Sequence, residues 1–155
     1  MANKSSFTVD EWDLLRKVPF LTGMIVVAAS PSGPLGLIQE SAAASAMMRG
    51  ALEKAQTELM RVLAEDLKES VHVPKMEAET PDSIRSKGLA ACREAAALLS
   101  AKASPAEADE FKCWLSELAT KVAEAAKEGG FLGFGGTLVT PEELSALDQI
   151  QVALR

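Results

Sequence analysis

"SPAEADEFKCWLSELATKVAEAAKEGG" occupies Ser104 to Gly130 and holds, in one stretch, the signals of a complete helix. Ser104 offers a hydroxyl to the free N–H groups of a helix start, Pro105 takes the first helical position, and Glu107 stands where its carboxylate reaches back to the cap. Phe111, Leu115, Leu118, Val122 and Ala125 then recur at three-and-four spacing, and Gly129 with Gly130 ends the run through backbone angles open to glycine. The spacing predicts a helix over 105–128.

The same punctuation recurs along the chain. "TVDE" (Thr8 to Glu11) and "TPEE" (Thr140 to Glu143) repeat the pattern, and "TPDS" (Thr80 to Ser83) is a weaker version. With the apolar periodicity they predict further helices over 9–29, 38–71, 81–102 and 141–154, and no segment competes as a strand. The 38–71 helix is read from Met48, Leu52, Ala55, Leu59, Val62, Leu63 and Leu67 on one face, with Arg61 and Glu65, or Lys54 and Glu58, as ion pairs on the other. "SVHVPKMEAET" (Ser70 to Thr80) ends that helix at a proline and forms the one long connection. The expected fold class is all-α, a single-domain bundle of about five helices spanning 1–155.

Bulk properties narrow the function. A chain of 155 residues, 48% hydrophobic and 25% charged, is sized for one buried core. Sixteen basic residues are scattered among 22 acidic ones, a net charge of -6, so no nucleic acid is expected as partner. With one histidine (His72), no tyrosine and two cysteines, few groups titrate near neutral pH, and an enzyme would have to work with carboxylates or lysines. No cofactor is expected. Val18 to Ile38 is uncharged for 21 residues, yet Pro19, Gly23, Pro31, Gly33, Pro34 and Gly36 interrupt it. Only "FLTGMIVVAA" is consistently apolar, which reads as a buried core helix and not a membrane span. Asp10, Glu11 and Asp13 stand where a signal peptide would be basic, so the expected location is the cytoplasm, with reduced thiols.

At an offset of 97 residues the chain resembles itself, "AASPSGPLGL" (Ala28 to Leu37) lying over "AAKEGGFLGF" (Ala125 to Phe134). Leu14, Val18, Leu21, Ile25 and Ala28 then match Phe111, Leu115, Leu118, Val122 and Ala125. The implied duplication sets repeat 1 over about 8–71 and repeat 2 over about 105–154, with the 81–102 helix between. Each copy carries a glycine loop: Gly33 and Gly36 in the first, and Gly129, Gly130, Gly133, Gly135 and Gly136 in the second. The second is not a phosphate loop, because it follows a helix, no lysine lies beyond Lys127, and Leu138 stands where the dinucleotide pattern needs glycine. Two readings remain for the apolar residues. Phe131, Leu132 and Phe134 either fold back over the open bundle end, or stay exposed as an adhesive surface, with Leu35 and Leu37 as its sister.

Other constellations read as structure. "ESVH" (Glu69 to His72) has metal-ligand spacing but lacks the second histidine a carboxylate-bridged di-metal bundle needs, so no metal is expected. Cys92 lies beside the apolar stripe of Ile84, Ala91, Ala95 and Leu98, and Cys113 in the polar row of Asp109, Glu117, Thr120 and Glu124, which predicts one buried and one exposed thiol. Met47 and Met48, in "SAAASAMMRGA", fill gaps between closely approaching helices, and Trp12 and Trp114 are expected as partly buried packing residues.

"WLSELATKVAEAAKEGGFLGFGGTLVTPEELSALDQIQVAL" (Trp114 to Leu154) resembles the tail of a family of small bacterial helical proteins in which a helix ending in "AAKEGGFLGFGG" precedes a capped helix; the resemblance implies no activity. More distantly, helix, turn, "VTPEE", helix is similar to the tellurite-resistance B-like helical domains, whose turn is acidic where this chain has glycine and phenylalanine. The function expected is non-catalytic association through the two loops, as a homodimer or with another protein. Its rivals are a small-ligand or cation-binding stress-response protein, which the distant resemblance suggests and for which Glu128, Glu142 and Glu143 are the candidate groups, and a carboxylate-based enzyme.

Overall fold

The computed structural model describes residues 1–30, 53–69, 79–128 and 139–155. After a 3₁₀ turn at Lys4–Ser6 come α1 (Val9–Ala29), α2 (Glu58–Glu69), α3 (Pro81–Lys102), α4 (Pro105–Glu128) and α5 (Pro141–Ala153), and among the described residues there is no strand. The fold is an all-α bundle.

The helix starts are chemical stops that the sequence spells out. At α1 the Thr8 hydroxyl accepts the Glu11 N–H (3.2 Å), and the Glu11 carboxylate accepts the Thr8 N–H (2.7 Å). Thr140 and Glu143 repeat this reciprocal pair at α5, as do Ser104 and Glu107 at α4. Thr80 caps α3 from one side only, and Ser83, standing where an acid would be, donates to Glu79 instead (3.0 Å).

The long second helix is corrected at its centre. Residues 53–57 are not helical, and α2 begins at Glu58; 38–52 and 70–71 lie outside the described residues. Thr57 sets the start, its hydroxyl accepting from the Met60 N–H (3.4 Å) and its carbonyl from the Arg61 N–H (3.1 Å). The N–H groups of Gln56 and Thr57, which a continuing helix would have bonded internally, donate to the two oxygens of Glu110 at 2.7 and 2.9 Å. Arg61 donates to the carbonyls of Ala55 and Gln56 in place of the expected pair with Glu65, and Lys54, now outside the helix, is not a helical partner of Glu58.

Contacts between helices give the directions. Glu11 meets Lys102 (2.6 Å), Thr22 meets Cys92 (3.5 Å) and Ile25 meets Gly88, so α1 and α3 run antiparallel. They approach closely at Gly88, where a Cβ would come within 2.5 Å of Ile25 Cγ1 and 3.2 Å of the Leu21 carbonyl. The short link at Ala103 and Ser104 reverses the chain, and the Ala2 N–H donates to Glu107 (2.8 Å), so α4 starts beside the start of α1 and runs parallel to it. α2 lies across that end, from Glu110 to Asp66, which accepts from Lys4 (2.8 Å) and from Trp12 Nε1 (2.9 Å) and pairs with Arg16 (3.1 Å). α5 lies against α1, α3 and α4 and buries Ala146, Ile150 and Ala153.

Apolar residues from every helix meet in one core around Phe111, Leu15, Leu59, Leu63, Leu99, Leu115 and Ile150. The apolar run ending α1 is a buried core helix, with Ile25, Val26 and Val27 inside, and among the described residues no helix is long and apolar enough to cross a membrane. Both thiols are free, Cys92 buried and Cys113 exposed, as their helix faces require. The tryptophans go deeper than expected. Trp12 is 3% and Trp114 5% exposed, because each ring packs on a phenylalanine, Phe7 and Phe111 respectively, within the core.

Candidate functional site

The loop residues singled out in the sequence, Leu35, Leu37, Phe131, Leu132 and Phe134 with Gly33, Gly36, Gly129, Gly130, Gly133, Gly135 and Gly136, lie outside the described residues, as do His72, Met47 and Met48. Their flanks are inside. Because α1 and α4 start together and run parallel, and their 21 and 24 residues make lengths of about 31 and 36 Å, the chain leaves both helices at the same end of the bundle. Ala29 and Glu128 are the points of departure.

The opposite end is built from carboxylates, each with a structural task. Burial works against the charge of Glu107, which is only 2% exposed, but hydrogen bonds from the Ser104 N–H and hydroxyl and the Ala2 N–H outweigh it and hold the carboxyl below its ordinary range. Glu110 follows the same pattern: desolvation is overcome by the donors of Thr57 and Gln56, with the Arg61 guanidinium adding to them. At Asp66, burial is overcome by Lys4 and Trp12, with Arg16 nearby. These groups stay ionised and hydrogen-bonded at neutral pH, the state of an anchor and not of a general acid. Of the acids weighed for cation binding, Glu143 is 3% exposed and spends one oxygen on the Thr140 N–H (3.0 Å), whereas Glu142 faces solvent. Among the described residues no group of three or more His, Cys, Asp or Glu converges as a metal site. The Cys92 thiol is pushed up by burial, partly offset by Thr22, so it is an inert core residue.

A concave feature lies where the turn before α2 meets α4. It encloses 370 Å³ and is bordered by Lys54, Gln56, Thr57 and Met60 on one side and by Ala106, Glu110, Cys113, Trp114, Glu117 and Lys121 on the other. Positions 106, 110, 113, 114, 117 and 121 form one face of α4, and the groove lies where that face meets the non-helical turn that precedes the start of α2 at Glu58. Trp114 forms part of its wall, and the buried indole N–H has no hydrogen-bond partner among the described residues. Across the groove edge the Cys113 Sγ is 3.9 Å from Glu117 Oε1. The sequence does not disclose this site, since its periodicity sets Lys54 on a continuous helix and Glu110 is one acid among several on α4. No protein family, curated protein or solved structure matches the chain.

Proposed function

We propose that this is a non-catalytic cytoplasmic protein that acts by association, forming a homodimer through the segments that follow α1 and α4. The observation that supports this is the parallel course of those helices: Ala29 and Glu128, beyond which the sequence holds Leu35 and Leu37 and then Phe131, Leu132 and Phe134, stand at the same end of the bundle. Carboxylate chemistry is less well supported, because Glu107, Glu110 and Asp66 are each engaged in holding elements together.

Light scattering with the double substitution Phe131→Asp and Phe134→Asp tests the reading. A wild-type dimer that becomes a monomer of unchanged helicity supports it. A wild-type monomer, or a dimer indifferent to the two aspartates, overturns it.

A further inference from the structure

Residues 1–7 are held to the bundle in a different way from the five helices. The 3₁₀ turn at Lys4–Ser6 is closed by its own side chains, Asn3 accepting from the Ser5 N–H (3.1 Å) and Ser6 from the Asn3 N–H (3.2 Å), so these bonds travel with the segment. The reciprocal pair of Thr8 and Glu11 fixes the first turn of α1 immediately beyond it. Among the described residues the segment has two polar ties to the helices, and both end on carboxylates: the Ala2 N–H on Glu107 (2.8 Å) and the Lys4 ammonium on Asp66 (2.8 Å). Its apolar hold is the Ala2 methyl and the Phe7 ring, 5.7 Å from the ring of Trp12. Fixing seven residues costs backbone entropy at each of them, whereas only these two bury apolar surface, so the polar ties decide whether the segment stays in place. What it covers is Trp12, which lies beneath the Phe7 ring and the Lys4 ammonium.

Both ties weaken together in acid. Glu107 is faced by the Ser104 N–H and hydroxyl, the Ala2 N–H and the Met1 ammonium. Asp66 is faced by Lys4, by Trp12 Nε1 and by Arg16, which also pairs with Asp13. Burial opposes the charge of each carboxylate, and these partners outweigh it, so the closed segment binds fewer protons than the open one. Closure is therefore complete above the ordinary carboxyl values and is lost as pH falls through the lower values of the closed state. The bundle itself is held mainly by Leu15, Leu63, Leu99, Leu115 and Ile150, which do not titrate.

We propose that residues 1–7 form an acid-released strap, which leaves Glu107 and Asp66 when these are protonated and uncovers Trp12 while the five helices stay assembled.

Proton NMR of the full chain between pH 7 and pH 3 tests this, the Phe7 ring signals reporting the strap and far-UV circular dichroism the helices. The Phe7 signals leave their Trp12-shifted positions with a midpoint at least about half a pH unit above that of helix loss. Lys4→Ala with Glu107→Gln raises the open population at pH 7 about tenfold, the scale of two charge-assisted ties, and flattens the response of Phe7 to pH. Lys4→Ala alone changes only the strap; it moves the Phe7 midpoint upward and leaves the midpoint of helix loss in place. Loss of the Phe7 signals and the helices at one pH, a strap that stays closed in the double variant, or an unmoved Phe7 midpoint in Lys4→Ala would each overturn the proposal.

Discussion

At the scale of single residues, Gly88 shows most directly how sequence choice sets geometry. Alanine is worth about 1 kcal/mol more than glycine inside a helix, so Gly88→Ala in the middle of α3 should stabilise the protein on propensity alone. Space reverses the sign. The added carbon would stand 2.5 Å from Ile25 Cγ1 and 3.2 Å from the Leu21 carbonyl; the first belongs to a β-branched side chain with little rotamer freedom and the second to backbone, so neither retreats easily. Overpacking of this kind costs about 1–3 kcal/mol, and the expected net effect is a loss of about 1 kcal/mol, read as a lower urea midpoint with unchanged slope. Ile25→Ala removes the two shortest contacts and leaves only the 3.2 Å approach to the Leu21 carbonyl, so Gly88→Ala should cost markedly less in that background. Additive losses in the double variant would mean that α1 and α3 do not meet at this pair.

At the scale of elements, the beginning of α2 separates what local chemistry encodes from what distant contacts decide. Thr57→Ala distinguishes the observed start from an uninterrupted helix. In a helix running through this position alanine would be the better residue; at a cap the same change removes the acceptor of the Met60 N–H and costs about 1 kcal/mol. We expect the loss, together with faster amide hydrogen exchange at Met60 and Arg61. The caps at Thr8, Thr80, Ser104 and Thr140 were legible because each signal lies within four residues of its effect, and the ends of α1, α3 and α4 follow the sequence reading. The break before Glu58 was hidden for the opposite reason. Ala55 continues the apolar stripe, Thr57 has no acid three residues on, and the carboxylate that receives its N–H is 53 residues away at Glu110. The groove depends on that break, so it was no more legible than the break itself. The depth of the tryptophans likewise depends on where Phe7 and Phe111 come to rest, which periodicity along one helix does not contain.

For the molecule as a whole, the carboxylates that join the chain start and α2 to α1 and α4 make stability depend on pH in a definite direction. Glu107, Glu110 and Asp66 are each held below the ordinary values of 4.5, 4.5 and 3.8, so between the folded and unfolded values the unfolded chain binds more protons. Their contribution is therefore complete above the unfolded values and is lost as pH falls through the lower folded ones. Unfolding free energy should be level from about pH 7 to 5.5 and decline steadily below pH 4.5. Glu107 is the strongest case, being almost fully buried and joining the chain start to the Ser104 turn. Glu107→Gln keeps the side chain's shape but removes the titration, so the variant should be less stable than wild type at pH 7 and approach it as both are taken toward pH 3. Urea unfolding of the two proteins across that range measures the difference. Curves that stay parallel would show that the Glu107 bonds do not distinguish folded from unfolded chain, and that the chain start is not anchored to α4 through this carboxylate.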